Sequence, residues 1–216
     1  VAHILITSGP TRQYLDPVRY LTNASSGRMG RGLAIAALEL GHRVTIVSGP
    51  VEVAYPAEAN VVRVVSTEEM LEASRRVFLN CDGLIGAAAP CDYRPRRVAE
   101  NKISKTGEPL LLELVETPDI VATLALEKTA HQWVVGFALE TEDPRIRAIA
   151  KLERKSCDLI VSNGPEAMNA LENQVEVINR AGKVLESLAG DKQFVARGIL
   201  RVIQATLIEG KPPESR

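Results

Sequence analysis

Between a short apolar segment ending at Thr7 and an apolar run beginning at Met29 lies a long polar stretch that carries Arg19, Asn23, Ser25, Ser26 and Gly27. Such a set can grip phosphate and acyl oxygens. The guanidinium supplies a fixed charge, and the amide and the hydroxyls donate hydrogen bonds. Gly27, Gly30 and Gly32 open backbone N–H groups at the start of a helix, where the dipole favours an anion. The glycines fall in the order GxxGxG at the helix rather than directly behind the first strand, so they suit either a phosphate cradle or close helix–sheet packing. Asn and Ser at these places equally suit an N-cap and loop network.

A second set follows the segment Gly83-Leu-Ile-Gly-Ala-Ala88. Gly86, Ala87 and Ala88 are small enough for a planar ring to approach the backbone, and Asp92 can accept from ribose hydroxyls or base amino groups, or simply cap a turn. Lys102 and Lys105 lie in a stretch rich in Pro, Arg and Lys, while Lys151 and Lys155 are four apart and share one helix face. Together these ammonium groups suit a triphosphate; singly each is a solvated surface charge. Thr117-Pro118-Asp119-Ile120-Val121 spells a helix start with Thr117 as N-cap and Pro118 in the first position, which local structure explains fully. No Ser/His/Asp or Cys/His pairing is spelled, so hydrolase chemistry lacks its parts. Cys81, Cys91 and Cys157 are odd in number and show no CxxC spacing, which argues against a disulfide framework or zinc site and fits a reducing compartment. Cys91 reads as small apolar filler.

The elements that must position these groups alternate. Apolar strands are expected at His3–Thr7, Arg43–Val47, Val61–Val65, Gly83–Ala88, Gln132–Ala138 and Asp158–Ser162. Helices are expected from Met29 to Leu40, from Ser66 or Thr67 to Leu79, from Pro144 to Cys157, and from an Asp191 cap to Ile208. Gly41 is placed to stop the first helix. Asp92 to Val115 reads as a mobile flap returning as the strand Leu110–Val115, and Gln174–Asn179 with Val184–Leu188 as a hairpin. The fold class is therefore α/β, a Rossmann-like, mostly parallel sheet with helices on both faces, plus a flap and a C-terminal hairpin. One domain is expected over residues 1–209, with the flap at about 92–115 and a frayed tail at 210–216.

With 216 residues, 45% hydrophobic content and a net charge of −1, the composition excludes disorder and gives no global field for nucleic acid. No apolar run approaches the roughly 20 residues of a membrane span, and the first residues lack a secretory pattern. A cytoplasmic protein without nucleic-acid or membrane partners is the expectation.

Taken together, Ile6-Thr-Ser-Gly-Pro-Thr-Arg12, Asp16-Pro-Val-Arg19, Asn23-Ala-Ser-Ser-Gly-Arg-Met-Gly30, Val47-Ser-Gly-Pro50, Ala87-Ala-Ala-Pro-Cys-Asp-Tyr-Arg-Pro95, Thr117-Pro-Asp-Ile120, Val135-Gly-Phe-Ala-Leu-Glu-Thr-Glu142 and Lys151-Leu-Glu-Arg-Lys155 resemble the phosphopantothenoylcysteine synthetase family over nearly the whole chain. The resemblance implies a homodimer that uses CTP with Mg2+ to convert 4′-phosphopantothenate to an acyl-cytidylate and then joins it to L-cysteine, in association or fusion with a flavin-dependent decarboxylase. It implies a nucleotide site of Gly86, Ala87, Ala88, Asp92, Lys102, Pro118, Asp119, Ile120, Val121, Phe137, Lys151 and Lys155. Backbone groups near Ala88 would read the cytosine edge. Asn23 would handle the acyl group, Arg19 would support Asn23 and the substrate phosphate, Lys102 would neutralise phosphate charge, and Ser25, Ser26 and Gly27 would form the substrate loop. No metal ligand is implied.

Three departures stand out: Ala24 where many members have Arg, Ser104 within Asn101-Lys-Ile-Ser-Lys105, and Pro90-Cys91 in place of Val-Ala. Lys102 is kept. Rival readings are an NAD(P)-dependent Rossmann oxidoreductase, opposed by the absence of GxGxxG after the first strand, and a nucleotide sensor without turnover.

Overall fold

Short β-branched runs bounded by turn formers build a sheet, and the longer apolar-periodic runs between them build the covering helices. The computed structural model describes residues 1–139, 144–163 and 173–210. In chain order the elements are β1 (His3–Ser8), β2 (Arg12–Asp16), β3 (Arg19–Thr22), α1 (Arg28–Glu39), β4 (Arg43–Ser48), β5 (Asn60–Arg63), α2 (Thr67–Phe78), β6 (Gly83–Gly86), β7 (Tyr93–Pro95), β8 (Leu114–Glu116), α3 (Ile120–Glu127), β9 (Trp133–Leu139), α4 (Pro144–Arg154), β10 (Leu159–Asn163), β11 (Asn173–Asn179), β12 (Val184–Gly190) and α5 (Lys192–Ile203). A π-helical turn, Gln204–Ile208, continues α5.

Eight strands form one sheet in the order β12-β11-β10-β9-β6-β1-β4-β5. Neighbours from β5 to β10 are parallel, while β11 and β12 close the sheet as an antiparallel hairpin. The Rossmann-like sheet and the C-terminal hairpin are thus as expected. Strand order reverses between β1 and β6, and doubly wound sheets take ligands in the crevice beyond the carboxyl ends of strands at such a reversal. β1 is buried on both faces. Ile4 and Ile6 pack with Leu33 and Ile199 toward α1 and α5, and Leu5 packs with Met70 and Leu124 toward α2 and α3.

Local caps fix the helix ends. Gly41, at φ 80°, lets its own N–H reach Leu38 O at 2.9 Å and that of His42 reach Ala37 O at 3.0 Å, which stops α1. Ser66 Oγ accepts from Glu69 N–H at 3.1 Å, and Asp191 accepts from Gln193 and Phe194 N–H at 2.8 Å each.

Several expectations are corrected. The polar stretch after β1 is no open loop: β2 and β3 pair within it, with Tyr14 against Tyr20 at 5.4 Å between ring centroids. The strand beginning at Gly83 ends at Gly86, where its pairing stops. In the flap Tyr93–Pro95 and Leu114–Glu116 are strands and pair with each other; Leu110, Leu111 and Leu112 pair with no strand among the described residues and are exposed. The last helix gives way to the π turn after Ile203, and α4 ends at Arg154. Tail residues 211–216, like Glu140 to Asp143, lie outside the described residues.

All three thiols are buried, and burial pushes Cys81 up to about 12 and Cys157 up to about 11. Because the thiolate is the nucleophile, iodoacetamide at neutral pH is expected to label none of them in the native protein and all three in denaturant. Mass spectrometry reads the result, and rapid labelling of Cys81 or Cys157 in the native state would contradict this packing.

Candidate functional site

A cleft of about 320 Å3 opens at the carboxyl ends of β1, β6 and β9. Thr7, Gly86 and Ala88 line its base, Pro90 to Tyr93 one side, and Glu116 to Val121 the other, with Phe137, Arg154 and Lys155 completing it. Gly86 is needed there for packing. A Cβ at that position would lie 2.4 Å from Val121 Cγ2, so only glycine lets the start of α3 rest on β6. Asp119, the N-cap of α3, accepts from Ala122 N–H at 3.0 Å through Oδ1 and pairs through Oδ2 with Lys155 Nζ at 3.0 Å. One carboxylate thereby joins the start of α3 to the residue that follows α4.

Threonines hold the turn on the opposite side. Cys91 N–H donates to Thr11 Oγ1 at 2.8 Å, and Cys91 O accepts from Thr117 Oγ1 at 2.5 Å and Thr67 Oγ1 at 3.2 Å. Thr117 N–H also donates to Asp92 O at 2.9 Å, which fixes the backbone beneath the exposed Asp92 carboxylate. Thr117 is therefore a cross-tie and not the cap, because the helix begins after Asp119. Cys91 does more than fill space: burial pushes its thiol up, and the thiol donates to Thr11 O at 3.4 Å. Asn23 Nδ2 reaches Ala89 O at 3.2 Å and Pro90 O at 2.8 Å, so it lies on the cleft rim with its donors already engaged.

The start of α1 forms a second polar feature. Gly27 is left-handed, at φ 73°, and gives no side-chain cap; no acidic residue occupies the first turn. Among the described residues neither the Ser25 nor the Ser26 hydroxyl has a hydrogen-bond partner. The uncapped N–H groups and the dipole therefore favour an anion. Gly30 approaches β1 so closely that a Cβ would lie 2.1 Å from Ser8 Oγ. Tight packing is thus what brings this helix end to the sheet edge.

Of the expected nucleotide residues, the cleft gathers Gly86, Ala88, Asp92, Pro118, Asp119, Ile120, Val121, Phe137 and Lys155. Ala87 turns to the other face of the sheet, toward the α1 and α5 core, and Lys151 and Lys102 do not line the cleft. The guanidinium of Arg19 bonds to Asp16 and to Ile103 O, not to Asn23. Sequence reasoning passed over Thr7, Glu116 and Arg154, although the last lies within the Lys151–Lys155 segment. Among the described residues no three His, Cys, Asp or Glu side chains converge as a metal cluster.

A family model described as "DNA/pantothenate metabolism flavoprotein C-terminal domain" matches residues 1–207. The chain belongs to this family. The Coenzyme A biosynthesis bifunctional protein CoaBC of Haemophilus influenzae is 38% identical over 205 residues, covering 94% of this chain and 51% of that protein. Its namesake in Vibrio vulnificus is 40% identical over 210 residues, covering 94% and 52%. The chain thus spans about half the length of these relatives. A crystal structure of the C-terminal domain of CoaBC matches with a TM-score of 0.81 at 37% identity, with 96% of each chain covered. A Cab2 mutant in complex with phosphopantothenate-cysteine shares the fold, with a TM-score of 0.79 at 16% identity over 96% of this chain and 87% of that one. The resemblance to the phosphopantothenoylcysteine synthetases is borne out. No helix among the described residues is long and apolar enough to cross a membrane.

The Gly86–Val121 contact is testable by thermal unfolding. Gly86→Ala is expected to destabilise by about 1–3 kcal/mol through overpacking, and Gly86→Ala with Val121→Ala to recover part of that loss. A Gly86→Ala protein as stable as the parent would show that α3 does not press on β6.

Proposed function

We propose that this chain is a cytoplasmic phosphopantothenate–cysteine ligase of coenzyme A biosynthesis, using CTP. One juxtaposition supports the reading most: Asp92, the start of α3, Phe137 and Lys155 share one cleft, and the Asn23 amide stands on its rim. In the first step a carboxylate oxygen of 4′-phosphopantothenate attacks the nucleotide α-phosphorus and pyrophosphate leaves. In the second the amine of L-cysteine attacks the acyl carbon, CMP departs with the bonding electron pair, and the nitrogen sheds a proton.

The residues divide this work. The cleft takes the nucleotide, with Asp92 toward the ribose or base. Lys155, with Lys151 on the same helical segment, faces the phosphates, and the Ser25–Gly27 loop with the uncapped start of α1 takes the phosphate of the acid. Asn23 exchanges its longer bond, 3.2 Å to Ala89 O, for the acyl oxygen. Mg2+ carried by a triphosphate keeps several waters and needs one or two protein carboxylates, and Asp92 and Glu116 both line the cleft. When bound, it would neutralise phosphate charge. A homodimer and association or fusion with a flavin-dependent decarboxylase complete the proposal. The hairpin β2–β3 and the flap present Tyr14, Val18, Tyr20 and Leu111 to solvent, a surface suited to a second copy. Light scattering tests the dimer.

The deciding experiment supplies CTP, phosphopantothenate and cysteine and follows pyrophosphate and CMP. Release of both is expected; binding without release would select a sensor, and NADPH binding in place of CTP an oxidoreductase. Lys102→Gln is expected to slow pyrophosphate release more than about tenfold, and an unchanged burst would remove it from the first step. Asn23→Asp is expected to trap acyl-nucleotide, because an amide facing a growing oxyanion often contributes about 3 kcal/mol; normal turnover would contradict that role.

A further inference from the structure

We propose that Asp16, together with Arg19, is a positioning residue that pins the flap at Ile103 and thereby aims Lys102. The proposal rests on the role given to Lys102 above. Asp16 ends β2, just before the turn into β3, and has no exposed surface. Its Oδ1 accepts from Val18 N–H at 2.8 Å and Arg19 N–H at 2.9 Å, which closes the turn on itself. Its Oδ2 accepts from Arg19 Nη1 at 2.7 Å and from Ile103 N–H at 3.1 Å. The same Nη1 donates to Ile103 O at 2.9 Å.

Both backbone groups of one flap residue are therefore held by one ion pair. Ala99 N–H adds a bond to Leu15 O at 2.9 Å four residues earlier. Lys102 sits between these two attachments, with its side chain exposed and without a partner among the described residues. Its backbone is fixed and its ammonium is free, the arrangement needed to present a charge to a ligand at little ordering cost. The pin is built to stay ionised. Burial alone would raise the carboxyl of Asp16, but the bonds from Val18, Ile103 and Arg19 outweigh it and hold the group below its usual range. An amide could not substitute, since every donor around Asp16 needs an acceptor and an NH2 would face Ile103 N–H or the guanidinium.

Brief trypsin digestion read by mass spectrometry tests the pin without reference to activity, because Arg96, Arg97, Lys102 and Lys105 all lie in the flap. Asp16→Asn is expected to speed cleavage there about tenfold or more while circular dichroism shows a folded protein. Should Asp16→Asn not fold, Ile103→Pro, which removes the N–H that Asp16 Oδ2 accepts and also makes the bond after Lys102 resistant to trypsin, is expected to speed cleavage at Arg96, Arg97 and Lys105. Unchanged flap cleavage in a folded variant overturns the pin.

Pyrophosphate release then tests the aim. Asp16→Asn is expected to slow it, and Asp16→Asn with Lys102→Gln to be no slower than Lys102→Gln alone. Losses that multiply would overturn positioning through Lys102. A parent protein that releases no pyrophosphate would sink the ligase reading and the aim with it, while the digestion would still decide the pin.

Discussion

The cleft depends on the backbone of one residue, Cys91. Cys91 N–H and C=O bind three threonine hydroxyls, from the β1–β2 connection, from the start of α2 and from the residue after β8. They continue what Ala88 and Ala89 begin, since β6 ends at Gly86 and the turn up to Ala89 is tied to β1 and the residues after it by Ala88 N–H to Thr7 Oγ1 at 3.4 Å and Ala89 N–H to Gly9 O at 2.9 Å. Each such bond contributes only about 1 kcal/mol net, but an unpaired buried peptide group costs about 1–3 kcal/mol. The Cys91 backbone is thus held less by the strength of its bonds than by the penalty for any geometry that breaks them. Asn23 grips the carbonyls immediately before it, so the hairpin inherits the same reference point.

That dependence explains how much of the molecule was legible in its sequence. Strands, helix stops and caps follow from neighbouring residues: Gly41, Ser66 and Asp191 each act within four positions, and the strand–helix alternation implies the parallel sheet. The hairpin β2–β3 was hidden because its reasons lie across strands, in the Tyr14–Tyr20 contact and the buried Asp16 turn, while its letters are those of a polar loop. Thr117 carries the spelling of a cap, yet its hydroxyl serves a carbonyl 26 positions away. Leu110 to Leu112 have the letters of a strand and pair with none among the described residues. In the cleft, the small residues and Phe137 were readable as a set. Arg154 was not, since nothing local distinguishes a cation at a cleft from one in solvent.

The glycines show why two readings of one motif need not compete. Gly30 is excluded from any larger identity by Ser8, and Gly32 meets Ala196 Cβ at 3.2 Å from its own ideal Cβ position, so both are packing residues. Yet this packing seats the start of α1 against the end of β1. Its N–H groups there have no side-chain cap. A helix dipole is useful only where its end is delivered, and the delivery is steric.

Lys155 and Lys102, two of the three lysines proposed to meet phosphate, differ in a way that bears on catalysis. Lys155 is already paired with Asp119 and mostly buried, so a ligand that takes its charge must replace an existing partner, and the net gain is small. Lys102 has its backbone fixed and its ammonium in water, so it gives up only hydration when a phosphate approaches. Rate is raised by interactions stronger in the transition state than in the bound ground state. A pre-paired lysine whose carboxylate also caps α3 is suited to shaping the cleft and setting affinity. A free lysine on a pinned backbone is suited, in the proposed reaction, to meeting charge that appears only as pyrophosphate departs.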